Sequence, residues 1–106
     1  MIKPKPGDMF YASIPFRENP LENKDRPVVI LKDLGNDIFI IAPLTGSNKT
    51  GYQKGLWVLR DSSDGKKMGL DKDSFIIVDK AYKWPSFGFG EYFGHCHLLE
   101  ELISKL

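Results

Sequence analysis

The sequence predicts a mainly β fold: a small, strongly bent sheet or SH3-like barrel, followed by one C-terminal helix. Three observations lead there. Short apolar, β-branched runs alternate with turns rich in Gly, Pro, Asn and Asp. A helical repeat of leucines is confined to the last residues. A length of 106 residues with no internal repeat or low-complexity tract fits one domain, taken as residues 1–106.

The elements follow in order. Lys5-Pro6-Gly7-Asp8 is a turn signal, and Met9-Phe10-Tyr11-Ala12-Ser13-Ile14 after it reads as a first strand. Residues 15–24 are polar and contain Pro15 and Pro20, which makes them a loop. Val28-Val29-Ile30-Leu31 and Ile38-Phe39-Ile40-Ile41-Ala42 flank Gly35-Asn36-Asp37, so the pair is expected to form a hairpin. A polar stretch over residues 45–54 precedes a strand, Gly55-Leu56-Trp57-Val58-Leu59-Arg60. Asp61-Ser62-Ser63-Asp64-Gly65-Lys66-Lys67 has the composition of a turn or loop, and Phe75-Ile76-Ile77-Val78 that of a buried strand. Residues 84–94 are aromatic and Gly-rich, the pattern of a bent strand or hairpin. Leu98, Leu99, Leu102, Ile103 and Leu106 recur at helical spacing, with Glu100 and Glu101 early and Lys105 late, as the helix dipole favours.

Composition bounds the function. Hydrophobic residues make up 42% and charged residues 27%, a globular balance. The longest apolar stretch, residues 38–44, is too short to span a bilayer. Lys3 and Lys5 are followed by Pro4, Pro6 and Asp8 rather than by the apolar core of a signal peptide. A single cysteine, Cys96, forms no internal disulfide and no cysteine-based zinc site. The chain therefore reads as soluble and cytoplasmic. Net charge is +1, divided as +3 over residues 1–60 and −2 over residues 61–106. A nucleic-acid footprint would have to come from a local arrangement or a cleft between subunits.

The familiar phosphate-loop, zinc-protease, dithiol, serine-hydrolase and dinucleotide motifs are absent. Three features remain. Asp25-Arg26-Pro27 puts an arginine, a planar fork of donors matched to phosphate, where a loop enters an apolar strand. Pro43-Leu44-Thr45-Gly46-Ser47 opens a buried strand into a polar loop whose hydroxyls and amides suit an anion. In the expected hairpin Arg26 and Thr45 both lie at the open end, which would pair a cation and a hydroxyl beside a transferring phosphoryl group. The plainer alternative is a surface arginine and a strand-capping threonine. The third feature, His95-Cys96-His97, would turn both imidazoles to one strand face, but no further ligands accompany them, and packed or solvated histidines fit equally. Trp84, Phe87, Phe89, Tyr92 and Phe93 suit either base stacking or the filling of a thin core, with core filling favoured. Lys66 and Lys67 read as a solvated turn, with phosphate contact the alternative.

Four ordered segments then resemble one family. They are Lys5-Pro6-Gly7-Asp8-Met9-Phe10-Tyr11, then Arg26-Pro27-Val28-Val29-Ile30, then Ile41-Ala42-Pro43-Leu44-Thr45, and Gly69-Leu70-Asp71-Lys72-Asp73-Ser74 leading into Phe75-Ile76-Ile77-Val78-Asp79. Together they resemble the MazF/PemK (Kid) family of toxin endoribonucleases. The resemblance implies a MazF/PemK/CcdB-type barrel that forms a homodimer and binds single-stranded RNA in a shared groove. It implies metal-independent, sequence-selective cleavage of mRNA by attack of a ribose 2′-OH, leaving a 2′,3′-cyclic phosphate and a 5′-OH. It also implies a cognate antitoxin with a disordered acidic tail, and no cofactor or metal. The family's catalytic Arg and Thr fall on Arg26 and Thr45, and its late-strand Asp on Asp79. Arg26 holds its proton to very high pH, so Asp79 is the better proton acceptor. Ser47, Lys49 and Lys54 are assigned to RNA binding. The chain departs from the family after Asp79, where Lys80-Ala81-Tyr82-Lys83-Trp84 replaces a Gln and an Arg-Thr-Ile-Asp-like segment, and at Gly46, where a second hydroxyl residue is usual. The competing class is a non-catalytic binding module on the same fold, as CcdB relatives block gyrase.

Overall fold

Strand β1 (Asp8–Ser13) leads to a long hairpin, β2 (Asp25–Gly35) and β3 (Ile38–Thr45), which forms the spine of the molecule. The structure is a computed structural model and describes residues 3–13, 25–46, 51 and 53–106. The expected loop over residues 15–24 lies outside them.

Local chemistry sets each entry and turn. Asp8 N–H donates to the Lys5 carbonyl at 3.1 Å, with Pro6 and Gly7 as the central pair and Gly7 at φ 95°, the conformation a type II turn requires. Asn36 and Asp37 join β2 to β3 with φ of 54° and 60°, the paired left-handed conformation whose twist matches that of the strands. β2 runs well beyond the apolar residues 28–31 that mark it in sequence. Two register shifts, one after Ile30 and one after Asp33, carry it as an exposed ribbon to the turn.

The remaining strands are β4 (Gly55–Val58), β5 (Ser74–Ile77), β6 (Tyr82–Pro85) and β7 (Phe89–His95). The sheet order is β4-β5-β3-β2-β1-β7, all antiparallel, with β6 beside the turn half of β3. This is the expected mainly β class, but the sheet curls without closing: β4 and β7 end the strand order unpaired with each other. β3 splits its partners, giving residues 38–41 to β6 and Leu44 and Thr45 to β5.

That split explains why β2 and β3 read as continuous apolar runs: both faces are covered. One face packs Met9, Val29, Leu31, Leu44 and Ile76 against Met68 and Leu102 of two short helices. These are α1 (Ser63–Met68) and α2 (Leu99–Ser104). The other face packs Phe10, Val28, Ile30, Phe39 and Ile41 under Tyr82, Trp84 and Phe89. Phe10–Phe89 ring centroids are 4.9 Å apart and Phe39–Phe89 5.7 Å. Trp84 and Phe89 of the aromatic segment over residues 84–94 thus cover a core, while Phe87 and Tyr92 stay exposed.

α1 was not expected in a stretch that composition marks as a loop. Ser62 caps it, its Oγ accepting from Gly65 N–H at 3.0 Å, and left-handed Gly69 ends it. Gly65 is there for space, since a methyl group would collide with the Leu59 carbonyl. Buried Met68 supplies the anchoring that so short a helix lacks on its own. The helix expected from the leucine repeat at the C-terminus forms as α2.

Candidate active site

The hairpin register builds the site. Val29 pairs with Ala42 and Val28 with Pro43, where the ladder ends, and continuing its register by two steps would put Arg26 opposite Thr45. Both residues line a mainly polar cleft of about 320 Å³ at the open end of the hairpin, floored by Pro27 and Leu44. The predicted cation–hydroxyl pair is therefore brought to one place.

Two further groups enter this cleft that sequence reasoning did not single out as functional. Lys72 comes from the segment before β5 and lays its side chain over Gly46. A methyl group on Gly46 would lie 3.0 Å from Lys72 Cε and 3.1 Å from Nζ. The glycine makes room for an ammonium group beside Thr45. Ser74, only 3% exposed, holds this segment by donating from Oγ to the Lys72 carbonyl at 3.0 Å. Asp25 lines the same cleft and brings a carboxylate. The cue for Lys72 was present in the Gly69–Ser74 motif. That it folds over residue 46 depends on β3 pairing with β5, which no local pattern announces.

The other predicted residues lie elsewhere. Asp79 sits in a 3₁₀ turn just after β5, outside the cleft lining. Its Oδ1 accepts from the Lys54 N–H at 2.7 Å, and the Lys54 carbonyl accepts in return from Val78 N–H at 2.9 Å. Phe75 is the residue opposite Thr45. Asp79 follows the end of β5, and neither it nor Lys54 lines the cleft that holds Arg26 and Thr45. Ser47 and Lys49 lie outside the described residues.

His95 is likewise engaged in structure. Its Nδ1 lies 3.0 Å from Oδ1 of Asp8, which is 1% exposed, and the Asp8 Oδ2 accepts from Lys5 N–H at 3.0 Å. The His97 ring stands edge-on to it, with centroids 4.9 Å apart. The pair ties the first turn to the end of β7. Cys96 is 1% exposed, and burial raises its thiol pKa, which keeps it in the unreactive neutral form.

Chemically, the cleft assembles a guanidinium, an ammonium, a hydroxyl and a carboxylate around a space fit for a phosphodiester. The two cations suit its non-bridging oxygens, the hydroxyl can donate to a third oxygen, and the carboxylate can take a proton.

The family model for the PemK-like, MazF-like toxins of type II toxin–antitoxin systems matches residues 5–103. The chain belongs to that toxin family. Among solved structures it is similar to the Mycobacterium tuberculosis toxin MazF-mt6, at 21% sequence identity and a TM-score of 0.66, covering 92% of this chain and 90% of that one. At that identity the likeness speaks to fold: a MazF-like, mainly β sheet with a C-terminal helix. A search of curated proteins finds no match. No helix among the described residues of this family member is long and apolar enough to cross a membrane.

Proposed function

We propose that the protein is a metal-independent, sequence-selective endoribonuclease acting on single-stranded mRNA as the toxin of a toxin–antitoxin pair. The observation that carries this reading is that Arg26, Thr45 and Lys72 line one cleft at the open end of the β2–β3 hairpin, in a member of the toxin family.

The chemistry follows from the groups present. A ribose 2′-oxygen attacks the adjacent phosphorus, its proton passes to a carboxylate, and the bond to the 5′-oxygen breaks. The products are a 2′,3′-cyclic phosphate and, once the leaving oxygen takes up a proton, a 5′-OH. Arg26 grips two non-bridging oxygens with its planar fork, and the charge it meets grows in the phosphorane. Thr45 donates its hydroxyl to the same centre or to the leaving oxygen. Lys72 adds a second positive charge where family members usually carry a hydroxyl residue, and Gly46 is what admits it. The proton acceptor is one of two carboxylates. Asp79 matches the family position, whereas Asp25 lines the cleft, and geometry favours Asp25.

The cellular setting is part of the same proposal: a cytoplasmic homodimer, RNA held in a groove shared by the subunits, and an antitoxin that occupies that groove. Ser47, Lys49 and Lys54 belong to the RNA contacts in this reading. Incubation of a long, mixed-sequence RNA with the protein in excess EDTA tests it, with Arg26→Ala alongside. Discrete fragments that persist in EDTA and vanish in the variant support the nuclease. Intact RNA refutes it in favour of a binding-only toxin fold.

A further inference from the structure

We infer that Trp57 is the base-stacking residue of this RNA site, holding the base of a nucleotide adjacent to the scissile phosphate. This rests on the nuclease reading above and extends it to how the substrate is gripped.

The register carries the argument. Thr45 pairs with Phe75, and Phe75 pairs with Trp57. Directly opposed residues of antiparallel strands point to the same face. Thr45, Phe75 and Trp57 therefore stand in one row across β3, β5 and β4, and Arg26 extends the row on the far side of Thr45. At the spacing of neighbouring strands the Trp57 backbone lies about 10 Å from that of Thr45, a span that one or two extended nucleotides cover.

Burial along the row is graded. Phe75 is 5% exposed and Trp57 is 51% exposed. Their ring centroids are 5.4 Å apart at 57°, so the buried ring backs the exposed one. Phe75 is itself set against Gly55, where a methyl group would come within 2.8 Å of the ring. The indole thus has a rigid support and an open face, the properties of a stacking platform for a single strand. Lys72 and Arg26 supply the phosphate-directed charge at the other end of the row. Leu59, two positions after Trp57 and 58% exposed, prolongs the strip, which makes a second copy of the chain the rival occupant.

The test first maps a cleavage site in long RNA, then uses a 2′-O-methyl RNA 12-mer spanning it, which binds but cannot react. The protein has two tryptophans, so Trp84→Phe leaves Trp57 as the sole reporter. Binding should quench its emission. Trp57→Leu should weaken binding by roughly 5- to 150-fold and raise KM, Trp57→Phe should retain most of the affinity, and the cleavage rate at saturating RNA should change little. Unchanged emission, or unchanged affinity in Trp57→Leu, overturns the assignment while leaving the nuclease standing. A Trp57→Leu protein that sediments at a different mass but binds RNA normally overturns it in favour of an interface between copies. A wild-type protein that cleaves no RNA removes the nuclease reading and this inference with it.

Discussion

The two ends of the β2–β3 hairpin differ more than any other pair of regions in the molecule. The turn end carries exposed Leu34 and an almost fully exposed Phe87, flanked by mainly apolar grooves of about 490 and 540 Å³. The open end carries a smaller cleft of about 320 Å³ with Asp25, Arg26, Thr45 and Lys72. The larger spaces are lined mainly by apolar and aromatic side chains with scattered polar groups such as Lys3, Asn36 and Lys83, whereas the smaller one gathers four chemically distinct groups from the open ends of β2 and β3 and the segment before β5. Convergence of charged and hydroxyl groups is what makes the smaller space the candidate for reaction.

The sharpest way to break this contrast is at the proton acceptor. Asp25→Asn should lower single-turnover cleavage by roughly 10²- to 10⁴-fold if the carboxylate that lines the cleft is the base. Asp79→Asn keeps an oxygen for the Lys54 N–H and should leave the rate nearly unchanged. The reverse ranking would return the role to the family position. Arg26→Ala should cost about 10²- to 10³-fold, the usual loss on removing one donor from developing charge. Lys72→Met keeps the stem over Gly46 and removes the charge. A loss of roughly 10- to 100-fold is expected, as for one charge-assisted hydrogen bond. A Lys72→Met rate equal to wild type would reduce the lysine to a cover for Gly46.

At the turn end the expected effect on chemistry is nil. Phe87→Ser should leave cleavage within about twofold, as a surface change remote from the cleft does, and should lower the binding of a hydrophobic dye. Loss of cleavage in this variant would mean that the two ends act together, for instance through a subunit contact.

How much of this was legible in the sequence differs by kind of interaction. Arg26 and Thr45 could be brought near each other on paper because a hairpin is local and their offsets from the Asn36-Asp37 turn are similar; the exact register was not legible, since two shifts along the ladder move the pairing by two residues. Lys72 and Trp57 join the site through β5, whose pairing with β3 spans some thirty residues and leaves no local trace. α1 was missed because Gly65 and the lysines mask a helix that its Ser62 cap, Gly69 stop and buried Met68 sustain. The choice between a bent open sheet and a closed barrel was not legible either, since strand count and turn spacing are the same for both.

The smallest expected effect lies under the turn half of the hairpin and concerns stability alone. The Tyr82 hydroxyl is buried without a hydrogen-bond partner among the described residues, and burial pushes its pKa from 10.0 to about 12. The folded state therefore favours the neutral phenol. Below pH 10 both folded and unfolded chains keep the proton and stability is unaffected. Between pH 10 and about 12 the unfolded chain releases a proton that the folded chain still holds, so stability falls as pH rises. Tyr82→Phe removes the group that titrates and the unpaired hydroxyl together. It should match or slightly exceed wild type in denaturant melts at pH 7, since no hydrogen bond is lost. It should also lose less stability than wild type across pH 10 to 12. Lysines titrate in the same range in both proteins, so the difference between the two curves, and not either slope alone, reports Tyr82. A Tyr82→Phe protein less stable at pH 7 would show that the hydroxyl has a partner after all, and the aromatic core would then share the polar character that sets the cleft apart.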